Sequence, residues 1–165
     1  MKWRVLFGGT FIVLSSLAPL AARAQRTLST VPPIATADSL LNRATTTASG
    51  LRYVIRQPGP GRPAVPGSRV VVHYTGFLAT DGRLFDTSVQ QGGPLKVRAG
   101  RQQVIAGFDE ALLLLPEGSR ARVWIPAALA YGAKGQPDPD DETGRRYLIP
   151  PNSDLIFELE IVKVR

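Results

Sequence analysis

Cysteine is missing from all 165 residues, and histidine occurs once, as His73. Without cysteine there are no disulfides, no thiolate metal sites and no lipidated cysteine to tether the chain to a membrane. One histidine leaves zinc with carboxylates alone. A serine nucleophile would have to recruit His73 as its base, yet no Gly-x-Ser-x-Gly turn exists to present the serine. Neither a P-loop nor a dinucleotide-binding glycine fingerprint is present. An enzyme built from this chain works without metal or cofactor and without a covalent intermediate.

Aromatic residues are also sparse, at 7%. The basic residues form no stripe with aromatics between them, so nucleic acid is not an expected partner. Residues 1–24 read as a secretory signal peptide: Lys2 and Arg4 charge the start, an apolar stretch runs from Val5 to Leu20, and Ala22-Arg23-Ala24 supplies a small-x-small cleavage pattern. The alternative is an uncleaved anchor, against which stand Gly8, Gly9, Ser15, Ser16 and Pro19 within the apolar stretch. Removing Lys2, Arg4 and Arg23 leaves 17 cations against 13 acids, a modest excess of +4. The expected product is a soluble exported protein, periplasmic or secreted.

Residues 25–49, rich in Thr, Ala, Ser and Pro, read as a flexible lead-in. With Pro32-Pro33 inside, these 25 residues cannot form a long helix through which two copies could pair, and a monomer is expected. From Leu51 the pattern becomes period two. Leu51, Tyr53 and Ile55 share one face with Arg52 and Arg56 opposite, and Pro58-Gly59-Pro60-Gly61 ends the run. Arg69 to Leu78 repeats it, with Val70, Val72 and Tyr74 opposite Val71, His73 and Thr75. Leu84 to Asp86 and Leu95 to Arg98 are short extended pieces. Ala121, Val123 and Ile125 alternate again, and Leu155, Phe157, Leu159 and Ile161 make the longest strand. A helix begins near Ala106, carries Asp109 and Glu110 in its first turn, and stops at Pro116-Glu117-Gly118. Leu112, Leu113 and Leu115 require a sheet to cover it. The pattern predicts an α+β domain, a mainly antiparallel sheet over one short helix.

Within that pattern five blocks recur in one order: Val71-Val72-His73-Tyr74-Thr75-Gly76 with Phe85-Asp86-Thr87-Ser88, then Gln103-Val104-Ile105-Ala106-Gly107-Phe108, Ala130-Tyr131-Gly132, Ile149-Pro150-Pro151-Asn152, and Leu155-Ile156-Phe157-Glu158-Leu159-Glu160. Together they resemble the FKBP-type prolyl isomerases, over residues 50–165. The resemblance implies a curved, half-barrel sheet wrapping the helix, with the site between its concave face and the helix. It also implies an enzyme that rotates X-Pro amides. That reaction fits the exclusions above, because it breaks no bond; its barrier is amide resonance.

Carried over by the same resemblance, Tyr74, Phe85, Val104, Ile105, Tyr131 and Phe157 wall a pocket with Phe108 as its floor. Asp86 is its polar wall. The Tyr131 hydroxyl and the Ile105 N–H bind substrate carbonyls, and Leu148 and Ile149 line a flap, within residues 134–149, over the site. Leu95 also faces substrate. The implied partners are partly unfolded proteins with exposed X-Pro segments, and a rapamycin-type macrolide.

Read without the resemblance, the aromatics at alternating strand positions are core, Asp86 caps a turn and His73 is a satisfied structural histidine. The sequence also departs from the family pattern: Phe108 stands where tryptophan is frequent, Leu95 and Val97 where phenylalanine is, and Gln91 and Gln103 where charge is. A wider, more aliphatic floor, an altered preference before proline and weaker macrolide binding are expected. The flap is long and carries Asp138, Asp140, Asp141 and Glu142. Its spacing matches no calcium loop; a solvated loop is expected, with a grip on basic clients as the functional alternative. Two rival functions remain. One is a noncatalytic module or chaperone that holds proline segments; the other is a carbohydrate- or peptide-binding β domain stacking on Tyr74, Trp124 and Tyr131, which requires Trp124 to be exposed.

Overall fold

The computed structural model describes residues 40–165; the expected signal sequence and most of the lead-in lie outside the described residues. The alternating runs become strands: β1 (Thr45–Thr46), β2 (Arg52–Gln57), β3 (Arg69–Leu78), β4 (Leu84–Thr87), β5 (Leu95–Arg98) and β6 (Arg120–Ile125). The flap contributes β7 (Gln136–Pro137) and β8 (Tyr147–Ile149), and the C-terminal run is β9 (Leu155–Val164). Seven strands form one antiparallel sheet in the order β1-β2-β6-β9-β3-β4, with β5 also paired to β3. β7 and β8 make a separate ribbon.

The long strands β3 and β9 form the spine of the sheet, in register from Val70↔Val164 to Leu78↔Leu155 with an irregularity at Val71/Val72. Period-two alternation sends Val70, Val72, Leu155, Phe157, Leu159 and Ile161 into the core. The helix α1 (Ala106–Leu114) covers this face with Phe108, Ala111 and Leu112, and Leu115 follows it into the core. Nine residues would not hold a helix in water alone. Burial of its apolar side, about 1.5–3 kcal/mol for each large side chain, fixes it here. Gly107 permits the approach, since a Cβ there would sit 2.4 Å from Ile125 Cγ2.

Asp109 does more than favour the helix dipole. Its buried carboxylate accepts the Gly100 N–H at 2.7 Å and the Gln102 N–H at 2.8 Å, tying the β5–α1 loop to the helix. Residues at the end of the expected lead-in also depart from the flexible reading. Thr45 and Thr46 pair with Tyr53 and Arg52, the Thr47 N–H is accepted by the Leu51 carbonyl, and Ser49 Oγ donates to Glu110 at 2.7 Å. The edge of β2 offered free backbone groups that a short threonine segment satisfies. Trp124 is buried, at 7% exposure, which removes the stacking surface that a carbohydrate-binding reading needs. Among the described residues no helix is long and apolar enough to cross a membrane.

Candidate active site

Four aromatic rings meet on the inner side of the sheet. Phe157 from β9 is at the centre, edge-on to Phe108 of α1 at 5.2 Å and to Phe85 of β4 at 5.6 Å, with Tyr74 of β3 at 6.2 Å. Tyr74 also meets Phe108 edge-on at 5.8 Å. Such edge contacts align ring hydrogens with neighbouring π faces and hold the rings at fixed angles. Phe108 and Phe157 are buried, while Tyr74, Phe85, Leu95, Val104, Ile105, Tyr131 and Leu148 are half-buried and packed against the same core. The structure thus gathers the sequence-predicted pocket residues on one core. Ile149 lies deeper, at 1% exposure.

The polar wall is built around Asp86. Tyr74 Oη donates to Asp86 Oδ2 at 2.8 Å, and Gln91 Nε2 donates to Oδ1 at 3.0 Å. Both carboxylate oxygens are therefore held. A cleft of about 530 Å³ opens here, lined by Tyr74, Asp86, Gln91, Gly93, Pro94, Leu95 and Lys96. A larger recess, about 680 Å³, lies around His73, Arg120, Glu158 and Glu160. Tyr74 lines both, but the charges of the larger recess are paired among themselves, whereas Asp86 is held only by uncharged donors, so the Asp86 cleft is the better site. His73 Nδ1 is 2.9 Å from the Ser88 hydroxyl, the satisfied structural role expected of it.

Burial, then the hydrogen bond to Asp86 and the charges nearby, push the Tyr74 phenol well above its usual range. Burial and the Asp86 charge likewise push Tyr131 up. Both phenols stay protonated at neutral pH and can donate. They differ in one respect: Tyr74 spends its proton on Asp86, whereas the Tyr131 hydroxyl has no hydrogen-bond partner among the described residues. The Ile105 N–H, just before α1, is likewise without an acceptor among them.

Tyr131 stands between two 3₁₀ turns, Ala127–Leu129 and Gly132–Lys134. Its loop is anchored where Asp154 Oδ1 accepts the Ala127 N–H at 2.8 Å and Gly132 O accepts the Asn152 N–H at 2.8 Å. The flap is tied down from the far side, since Arg83 Nη2 donates to the Leu148 carbonyl at 2.8 Å.

Residues 61–162 match the family model described as FKBP-type peptidyl-prolyl cis-trans isomerase. The chain belongs to the FKBP-type isomerase family. Peptidyl-prolyl cis-trans isomerase FPR2 of Saccharomyces cerevisiae is 38% identical over 102 residues, 62% of this chain and 69% of its own. The FK506-binding protein of Neisseria meningitidis serogroup A is 40% identical over 108 residues, 66% of this chain and 90% of its own. Among solved structures, AtFKBP13 superposes with a TM-score of 0.67 at 34% identity, covering 74% of this chain and 98% of that one. FkpA from Escherichia coli gives 0.63 at 33% identity, over 79% of this chain and 58% of FkpA.

The protein is thus a peptidyl-prolyl cis-trans isomerase with the FKBP fold, an open curled sheet around a short helix. Three features of the site escaped sequence reasoning. Gly76 is opposite Asp86, and a Cβ there would lie 2.5 Å from Phe85 Cζ and 2.9 Å from Phe157 Cε1, so the rings occupy the space of the missing side chain. A glycine inside a strand of β-branched residues is the signal for such an approach. The Gln91–Asp86 bond joins two side chains and the Arg83 bond reaches the Leu148 carbonyl, and nothing in local spacing announces either.

Proposed function

We propose that Tyr131, Ile105 and Asp86 carry the isomerisation in this chain, and that its clients are exported proteins. In this reading the bowl of Tyr74, Phe85, Val104, Phe108 and Phe157 takes the proline ring, while Leu95 and Leu148 border the flanking residues and the buried Ile149 anchors the flap from below. The observation that carries it is the pair of donors without partners among the described residues, Tyr131 Oη and Ile105 N–H, with Tyr131 near enough to feel the charge of Asp86, whose two oxygens are already held.

Cutting an isomerisation of tens of seconds to milliseconds takes about 10⁴-fold, or roughly 5.5 kcal/mol of preference for the twisted amide. Ring burial contributes about 1.5–3 kcal/mol, but almost equally to planar and twisted forms, so it serves binding more than rate. Rate comes from donors aimed at carbonyls in the twisted chain. They are preorganised, because the turns on either side of Tyr131 and the helix start after Ile105 hold them before substrate arrives. Asp86, pinned by Tyr74 and Gln91, is the wall past which the carbonyl turns.

The exported bacterial assignment rests on the charged start, apolar stretch and Ala22-Arg23-Ala24 site in residues 1–24. With it come a periplasmic or secreted location, a domain spanning residues 50–165 with an extended flap, and a monomer. A rapamycin-type macrolide competes for the groove, its binding weakened by Phe108 and Leu95.

NMR exchange on an X-Pro peptide tests the site without a coupled protease. Residues 25–165 should accelerate exchange, and Asp86→Ala and Tyr131→Phe should each slow it. Peptide binding without faster exchange would instead make the groove a proline-holding module. Mass spectrometry of the protein from a periplasmic fraction tests export; a product starting at Gln25 is expected.

A further inference from the structure

The reverse face of β3 carries a feature that isomerisation does not use. Arg69 is directly opposite Arg98 on β5 and exchanges backbone hydrogen bonds of 2.7 and 2.8 Å with Arg165. One pleat further, Val71 is opposite Lys96 on β5 and Lys163 on β9. Residues directly opposed across antiparallel strands share a face, so two rows of cations cross three strands with Val71 between them. All five are exposed, and Val70 and Val97, of opposite parity, are buried. Arg98 Nη1 donates to the Gly67 carbonyl at 3.3 Å, and Arg101 Nη2 lies 3.5 Å from where a Gly67 Cβ would be, which adds a sixth charge. A shallow recess of about 530 Å³ opens among them.

Little opposes these charges. Glu117 accepts from Lys163 at 2.7 Å, and the backbone carboxyl end of Arg165 accepts the Arg69 N–H. The others have no carboxylate ion-pair partner among the described residues. Further along the same sheet the arrangement changes: Arg120 pairs with Glu160, and Arg56 and Arg122 both reach Glu158. Like charges placed directly opposite each other destabilise a sheet. One end of this face therefore carries an unfavourable array that an external anion would relieve.

We propose that this basic face docks on an anionic phospholipid bilayer through the lipid phosphates. The array lies on a sheet face and has an aliphatic centre, Val71, over which arginine and lysine stems can lie while their heads reach a charged plane. No aromatic side chain lines the recess to stack on bases, and no helix projects from it to enter a groove. Tyr74, on the opposite parity of β3, turns inward to the aromatic bowl. Lys96 belongs both to this face and to the rim of the Asp86 cleft, so a docked domain would hold its cleft beside the bilayer surface.

Co-sedimentation of the full chain with phosphatidylglycerol-rich or pure phosphatidylcholine vesicles tests this. The protein should bind the first preferentially, and added salt should release it as the screening length drops below about 10 Å. Arg69→Gln with Arg98→Gln should lower the partition coefficient about 30-fold, at roughly five-fold per charge. Arg43→Gln with Arg145→Gln, an equal charge loss elsewhere, should leave it near the parent value. The apolar stretch at Val5 to Leu20 is common to all variants, so the difference belongs to the patch. Turnover of a soluble proline peptide checks that the Arg69/Arg98 variant is folded; should it not be, Arg165→Gln alone should cost about five-fold. Parent-like binding by the patch variants, or an equal loss in the control pair, overturns the proposal. So does a parent chain that ignores both vesicles yet binds RNA or an acidic peptide at the same salt.

Discussion

Tyr74 Oη and Asp86 Oδ2 are joined by a 2.8 Å hydrogen bond within the β3–β4 ribbon, and this contact fixes the electrostatics of the cleft. It commits one phenol to holding the carboxylate and leaves the other, Tyr131, near the same negative charge with its proton available. Hydrogen bonds to a charged group contribute about 1.5–3 kcal/mol, and the half-exposed position of Tyr74 argues for the lower end. Tyr74→Phe should therefore lower the unfolding free energy by about 1.5 kcal/mol in urea titrations. It should also slow isomerisation, since Asp86 would keep only Gln91.

The two raised phenols predict a high-pH instability. In the unfolded chain both tyrosines lose their protons near pH 10, whereas the folded protein holds them longer. Above pH 10 the unfolded state thus binds fewer protons, and stability falls as pH rises. Below pH 10 both states are protonated and the contribution is fully present. Urea midpoints measured upward from pH 9 should decline more steeply in the parent than in a Tyr74→Phe, Tyr131→Phe double variant. Equal slopes would mean that other groups dominate.

Gly76→Ala places a methyl group against Phe85 and Phe157, 2.5 and 2.9 Å from their nearest ring carbons. Both rings are already fixed by edge contacts, so neither can give way without disturbing the bowl. Overpacking of this kind costs about 1–3 kcal/mol. Isomerase activity should drop along with the urea midpoint, and binding of a proline peptide should weaken if, as proposed, the displaced rings are those that take the proline.

Much of this fold was legible in the sequence because its signals are local. Alternation in β3 and β9 announced two-faced strands, and the leucines after Ala106 announced a covered helix. The bowl residues were legible only through resemblance, since alternation places Tyr74 and Phe157 in a core without saying that the core opens. Trp124 shows the reverse limit. Alternation set it opposite Val123 and Ile125, which suggested exposure, yet its side of the sheet is covered as well. The pairing of Thr45–Thr46 with β2 left no hydrophobic pattern at all; it is backbone hydrogen bonding to an open edge.

Arg83 links the start of β4 to the flap through the Leu148 carbonyl. Arg83→Ala should loosen the flap without touching the donors at Tyr131 and Ile105. A contact that serves the bound and transition states equally appears in KM and not in kcat. The expected result is a rise in KM of about 2- to 10-fold, the worth of one such hydrogen bond, with kcat nearly unchanged. An equal loss in kcat would mean that the flap helps to twist the amide.

The acidic flap has an internal organiser that its charge pattern conceals. Asp141 accepts the N–H groups of Thr143, Arg145 and Arg146 and the Thr143 hydroxyl, at 3.1, 2.7, 2.5 and 2.7 Å. Those donors hold its carboxyl down at about 2, below the usual carboxylate range. A depressed carboxylate contributes order that is complete above its unfolded value near 4 and fades as pH falls through about 2. The protection factors of the Thr143, Arg145 and Arg146 amides, taken against the intrinsic exchange rate at each pH, should therefore be high at neutral pH and fall as pH drops towards 2. Asp141→Ala should lower these protection factors wherever the parent's carboxylate is charged, because a methyl group accepts nothing. Asp140→Ala, whose carboxylate holds none of these amides, should not. Protection that survives Asp141→Ala would shift the flap's order to its β7–β8 pairing and to the Arg146–Asp138 bridge.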